Sequence, residues 1–203
     1  VRSFMVVQEA RKIIKKILGP FSMEELLSNV AFGTRANAGI PYSRSYLDVK
    51  YASMTGSPDH ISWYLNTYLP QDELLHRDYV EGCESRARSA PTFNEIDTLD
   101  LVCVPKKHDS DRTIMPNTVL GTFYTNALMV MIDERLAKNG YNIRTLQKRH
   151  GILAQYGSRT GKLATGDLSS ASDLPGFSLV CRLIPREWLR ALRFGRISKF
   201  QYR

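Results

Sequence analysis

The stretch from Leu163 to Asp173, LATGDLSSASD, constrains this chain more than any other. A short, mostly apolar run ends at Asp167, small hydroxyl residues follow, and a second acid, Asp173, stands just before an apolar segment with helical spacing. This order predicts a buried strand with two carboxylates at its exit and a helix beyond. Acids past the carboxyl end of a strand are well placed to hold Mg²⁺, a hard ion that takes oxygen ligands and shares them with substrate phosphates. The same residues also suit a plain turn at Asp167 and a helix cap at Asp173. A second element, about fifty-five residues upstream, bears on the choice.

That element is Thr98 to Pro105, a run of β-branched and apolar residues that predicts a strand, with Pro105 ending it. Directly behind it lies KKHDSDRTI, from Lys106 to Ile114. A strand that delivers Lys106, Lys107 and then Arg112 offers a compact positive site. Arg112 suits a phosphate because its guanidinium is a planar fork, and Lys106 or Lys107 acts as a point charge. Asp111 is expected to hold the Arg112 guanidinium in place. The alternative is a charged hairpin tip in solvent. His108 alone supports no metal or catalytic role.

The formal charge of +8 is unevenly spread: residues 1–100 carry 11 Lys and Arg against 13 Asp and Glu, and residues 101–203 carry 17 against 7. The second half is therefore the one expected to face a polyanion. A chain of 203 residues with 43% hydrophobic content folds as one or two compact domains. The expected boundary lies between a helical, loop-rich region at 1–96 and the region 97–203 that carries both motifs. Three widely spaced cysteines, Cys83, Cys103 and Cys181, form no disulfide framework or zinc spacing and point to a reducing compartment. No apolar run approaches the ~20 residues that span a bilayer.

Residues 4–19 read as an amphipathic helix stopped by Gly19-Pro20, and Ser22 with Glu25 reads as a capping box for a helix at 22–29. Both are read as packing elements, with Lys12, Lys15 and Lys16 on a solvated face. Residues 30–57 read as loop-dominated. There Arg35, Arg44 and Lys50 alternate with Tyr42, Tyr46 and Tyr51, a pattern that can neutralise phosphate and stack on unpaired bases and that also occurs in ordinary loops. Helical spacing resumes over 58–81, interrupted at Pro70, with Trp63 in the core, and 84–94 reads as a connector. The clearest helix is 118–138, closed by Asn139-Gly140. Arg144, Lys148, Arg149, Arg159 and Lys162 then form a basic stripe leading into the strand before Asp167. Pro175 is expected in the first turn of the next helix, and another basic helix runs to about Arg196.

The pairing of VPKKHDSDRTI with LATGDLSSASD, separated by one long helix, resembles the RNA-dependent RNA polymerases (replicase subunits) of the small single-stranded RNA bacteriophages, the levivirus type. The resemblance covers the chain loosely and is specific at 102–114 and 163–173. It implies an α+β fold, mostly helical with a few strands, forming the fingers and the first part of the palm of a right-hand polymerase. It implies that Asp167 is the catalytic, Mg²⁺-binding acid of a two-metal site only partly present in this chain. Asp173 would sense the ribose hydroxyl of the incoming nucleotide, and Lys106, Lys107 and Arg112 would hold its triphosphate. Arg144, Lys148, Arg149, Arg159 and Lys162 would lie along template or product RNA. Implied partners are RNA, nucleoside triphosphates and host translation factors, in the cytoplasm of an infected bacterium and away from membranes. The chain departs from the family pattern at Asp109, where a second lysine is common, at Asn117-Thr118, where Glu-Pro is common, and at Gly166, where a β-branched residue is usual.

No Gly-Asp-Asp occurs in the 203 residues, and the chain starts at Val1. Two-metal chemistry needs carboxylates on both sides of the ions. The expectation is an incomplete replicase, a fragment or one part of a split enzyme, that does not polymerise RNA alone. The competing reading is a non-catalytic RNA-binding module derived from a replicase.

Overall fold

The computed structural model of the protein describes residues 2–85, 89–108, 110–166 and 174–202. The fold is α+β and mainly helical, as expected. The chain divides into two compact units that interleave along the sequence, one within Met23–Leu128 and Ala191–Arg203, the other within Val1–Ser22 and Met129–Arg190.

The unit holding Met23–Leu128 contains helix α2 (Met23–Ser28), a 3₁₀ turn (Tyr42–Arg44), helix α3 (Leu47–Ala52), strand β1 (Ser53–Gly56), helix α4 (Pro58–Trp63) and helix α5 (Glu73–Glu84). Ser57 caps α4 by accepting from the backbone N–H of His60 at 3.2 Å, with Pro58 pre-set in the first turn. Pro70 interrupts the helical run as expected: a π turn (Tyr64–Tyr68) and a 3₁₀ turn (Leu69–Gln71) intervene before Asp72 caps α5. Met54, Tyr64, Leu69, Leu120 and Phe123 form the core, with Phe32, Trp63, Tyr68 and Phe93 packed against it. Trp63 is half-buried at its edge, with its ring 5.0 Å from that of Tyr124.

The segment expected as a connector holds strand β2 (Thr92–Glu95), which pairs in parallel with β1 from Ser53↔Thr92 to Gly56↔Glu95. Four residues give too short an alternation to announce a strand. The partner forty residues upstream supplies the ladder, and Thr92 Oγ1 adds a bond to the Ala52 carbonyl at 3.0 Å.

Strand β3 (Thr98–Lys107) is the centre of a second sheet with order β4-β3-β5, where β4 is Ser110–Ile114 and β5 is Lys199–Tyr202. Pro105 does not end β3. The β5 ladder stops at Leu101, so from Val102 onward β3 has a partner on one side only, and a residue without an N–H is tolerated on the open edge.

Helix α6 (Val119–Lys138) begins in this unit and follows the expected bounds within a residue. Its first free N–H groups are met by side chains: Thr118 Oγ1 accepts from Gly121 at 3.1 Å and Thr55 Oγ1 from Val119 at 3.0 Å. Buried Asn37 donates through Nδ2 to the Thr122 hydroxyl at 2.8 Å and to the carbonyls of Asn117 and Thr118. Asn117 donates to the Gly195 carbonyl at 3.1 Å, so the Asn117-Thr118 pair anchors and caps this turn where Glu-Pro is commoner in the family resembled.

In the other unit, helix α1 (Arg2–Leu18), the rest of α6, α7 (Ile143–Thr160), α8 (Phe177–Leu183) and most of α9 (Arg186–Phe194) carry the structure. Trp188 is fully buried and donates to the Gly19 carbonyl at 3.0 Å, with Phe21 edge-on at 5.3 Å. Arg135 lies over the Trp188 ring at 4.9 Å and caps α1 by donating from Nε to the Leu18 carbonyl at 2.6 Å. Among the described residues no helix is long and apolar enough to cross a membrane.

Two expectations fail here. Leu163–Gly166 form no strand: Leu163 is 47% exposed and the three residues after it are exposed too. A strand needs a ladder partner, and among the described residues of this unit there is none. Pro175 lies outside the following helix, which is entered through Gly176 and starts at Phe177.

Candidate functional site

The β3–β4 hairpin builds the first half of the site. Its register pairs Val102 with Ile114, Val104 with Arg112 and Pro105 with Asp111, then slips so that Lys107 faces Ser110 and Lys106 is the extra residue of a bulge. Cross-strand partners share a face and alternate positions along a strand do too, so Arg112 shares its face with Val104, and Lys106 follows Val104 by two positions. The hairpin thus places Lys106 and Arg112 on adjoining strands, both exposed, with Lys106 at a bulge that breaks the alternation of faces. Lys107 is in β3 by its backbone; its side chain, and all of Asp109, lie outside the described residues.

Asp111 does not hold Arg112. Neighbouring residues of a strand point to opposite faces, and no ion pair joins the two. Lys106 and Arg112 are exposed, and among the described residues no ion pair joins either to a carboxylate.

The sheet beneath is pinned at β5, where Lys199 donates to Asp97 at 2.8 Å and Gln201 to Asp100 at 2.8 Å. The Lys199 ammonium holds the Asp97 carboxyl below its ordinary range, with Thr98 adding a hydrogen bond.

Helix α7 carries the basic stripe, and no helix was expected there. Its Asn142 cap accepts from the Thr145 N–H at 3.3 Å, and Gly161 ends it in the left-handed conformation at φ 64°. At 3.6 residues per turn Arg144, Lys148 and Arg159 fall on one side within about 60°, while Arg149 is turned about 100° from Lys148. Lys162 stands beyond the cap. All five are exposed, and Arg144 lies 3.7 Å from Asp133 of α6, which offsets part of its charge.

The segment leading to Asp167 crosses α7 at Gly157, where a Cβ would stand 2.6 Å from the Leu163 carbonyl oxygen. Between the helix and this segment opens a cleft of about 570 Å³ lined by His150, Leu153, Ala154 and Leu163–Gly166. Asp167 and Asp173 themselves lie outside the described residues. Among the described residues no group of three or more His, Cys, Asp or Glu side chains could hold a metal ion.

The basic and aromatic run at 35–51 separates into two classes. Lys50 is buried, donating to the carbonyls of Gly33 and Arg35, and burial pulls its pKa down. Tyr51 is half-buried and donates to Asp78 at 2.8 Å; burial and that carboxylate push its pKa up. Arg35, Tyr42, Arg44 and Tyr46 stay exposed. Lys50 was read as a surface charge, and nothing in its local spacing marks it as buried.

Residues 2–199 match the family described as RNA replicase, beta-chain. The chain is 34% identical over 115 residues to the RNA-directed RNA polymerase beta chain of Enterobacteria phage fr, covering 53% of this chain and 21% of that one. It is 29% identical over 188 residues to the RNA-directed RNA polymerase subunit beta of Enterobacteria phage SP, covering 90% and 30%. It is 34% identical over 120 residues to the beta chain of Escherichia phage MS2, covering 56% and 21%. The chain thus spans less than a third of the length of these relatives. With the match running nearly end to end, the chain belongs to the family of phage RNA replicase beta chains.

Proposed function

We propose that this chain forms the fingers and the first part of the palm of an RNA-directed RNA polymerase that replicates a positive-strand phage genome in the cytoplasm of its host. In the whole replicase the reaction is attack of the growing strand's 3′ hydroxyl on the α-phosphate of a nucleoside triphosphate, with pyrophosphate leaving. Lys106, Lys107 and Arg112 hold the triphosphate, and Asp173 senses the ribose. Asp167 is the acid that binds Mg²⁺, which offsets phosphate charge when bound. Arg144, Lys148, Arg149, Arg159 and Lys162 track the RNA, and host translation factors are further partners.

The observation that supports this reading is the hairpin: Lys106 and Arg112 stand on one ribbon, both exposed, with no ion pair to either among the described residues. A lysine and an arginine on one exposed hairpin suit a chain of phosphates better than a single anion.

The test is a titration of the chain with a fluorescent nucleoside triphosphate, with and without Mg²⁺. Lys106→Ala and Arg112→Ala should each weaken binding by about tenfold, the scale of a lost charge-assisted hydrogen bond. Asp167→Asn should remove the Mg²⁺ dependence. Unchanged affinity in both hairpin variants would overturn the nucleotide assignment. Binding that never depends on Mg²⁺ would favour a non-catalytic RNA-binding module instead.

A further inference from the structure

The exposed side chains between Gly33 and Lys50 have no part in the hairpin chemistry, yet the backbone that carries them is unusually well fixed for a loop. Lys50 reaches from α3 to bond the Gly33 and Arg35 carbonyls, and Ser45 Oγ bonds the Arg35 carbonyl at 2.6 Å. Asn37 and Ile40 close a bridge, with Asn37 N–H to Ile40 O at 3.1 Å and the reverse at 2.9 Å. Pro41 leads into the 3₁₀ turn, whose carbonyls take the N–H groups of Arg44 and Ser45.

On this fixed frame Tyr42 is 81% exposed and Tyr46 68% exposed. Rings of that size turned to water forgo their burial energy, and among the described residues neither side chain meets a neighbouring ring or a hydrogen-bond partner. Arg35 and Arg44 belong to the same frame, both exposed, and among the described residues neither has a carboxylate partner. Asp48 is the one acid between Gly33 and Ala52, and it stands in the first turn of α3. Aromatic faces beside unpaired guanidinium groups suit one ligand class: bases that can stack, on a backbone that is an anion at every step.

We propose that Tyr42 and Tyr46, with Arg35 and Arg44, form a stacking platform for an unpaired RNA strand, separate from the hairpin. The two rings take successive bases, and the arginines neutralise the adjoining phosphates. The buried Lys50 holds the frame by its bonds to the Gly33 and Arg35 carbonyls, and its ammonium is not available to phosphate. The inference rests on the replicase reading for the identity of the strand, and its chemistry stands on these residues alone.

The experiment measures binding of the 203-residue chain to a short oligouridylate and to an abasic strand of equal length and charge. The unaltered chain should prefer the strand with bases. Tyr42→Ala with Tyr46→Ala should weaken oligouridylate binding at least about tenfold, the scale of one lost base stack, and erase that preference. Tyr42→Phe with Tyr46→Phe should retain it. Photo-crosslinking with 5-iodouridine should map to Tyr42 or Tyr46. Equal binding of both strands, or crosslinks only elsewhere, would overturn the platform. Lys106→Ala with Arg112→Ala, run beside these, separates the two readings: triphosphate binding lost there with strand affinity unmoved by the tyrosine changes sinks the platform alone. Triphosphate binding unmoved there sinks the hairpin's nucleotide assignment alone.

Discussion

The two units are held together by different chemistry. Around the start of α6, buried polar side chains join segments far apart in sequence: Asn37 to Asn117, Thr118 and Thr122, Thr55 to Ala38 and Val119, His60 to the Phe194 carbonyl at 2.7 Å. In the unit of α1 and α7 one aromatic residue, Trp188, gathers Phe21, Gly19 and Arg135. A polar hub fixes register because its hydrogen bonds are directional and tie named donors to named acceptors. An aromatic hub supplies buried area with few directional demands.

The contrast can be broken most directly at Trp188. Trp188→Ala removes a fully buried ring and should cost about 3–5 kcal/mol, read as a fall in the urea midpoint. Trp188→Phe should recover much of that loss, because area matters more there than the bond to Gly19.

Asn37→Ala should cost less, about 1–3 kcal/mol, by leaving two carbonyls and a hydroxyl without their donor. Asn37→Asp should be at least as damaging although it keeps the shape, since a carboxylate offers no N–H to those carbonyls. If Asn37→Asp were neutral, the hub would be a matter of packing, as at Trp188.

The smallest effect is expected at His60. Its side chain is fully buried, Nε2 bonds the Phe194 carbonyl, and Nδ1 has no partner. Burial lowers its pKa, with the Phe194 bond and Asp59 opposing. The unfolded chain takes up a proton near pH 6.5 that the folded chain refuses, so stability should fall as pH drops below about 6.5. Urea midpoints at pH 5.5 and 7.5 measure this, and His60→Gln should flatten the difference.

Legibility in the sequence followed how local each signal was. The helix at 118–138 and the hairpin's basic cluster were readable because period and turn chemistry lie within a few residues. Helix α7 was not: its apolar residues Ile143, Leu146, Leu153 and Tyr156 recur near helical spacing, but Gly151 and Gly157 within the run read as breakers. The pairing of β1 with β2 depends on a partner that spacing cannot name. The apolar run before Asp167 has a strand's composition and no ladder to join, so composition misled there. The exposed Arg35, Tyr42, Arg44 and Tyr46 were visible as a pattern, whereas the burial of Lys50 depends on carbonyls fifteen and seventeen residues away.

The end of the β5 ladder at Leu101 has a mechanical consequence. Past that residue the charged ribbon has one ladder of antiparallel bonds, to β4, and Thr98–Leu101 have one of parallel bonds, to β5. Such a ribbon bends more easily about its base than along its length. Lys106 and Arg112 thus sit beyond the β5 ladder, and a small displacement of that end disturbs none of the ladder bonds at Thr98–Leu101.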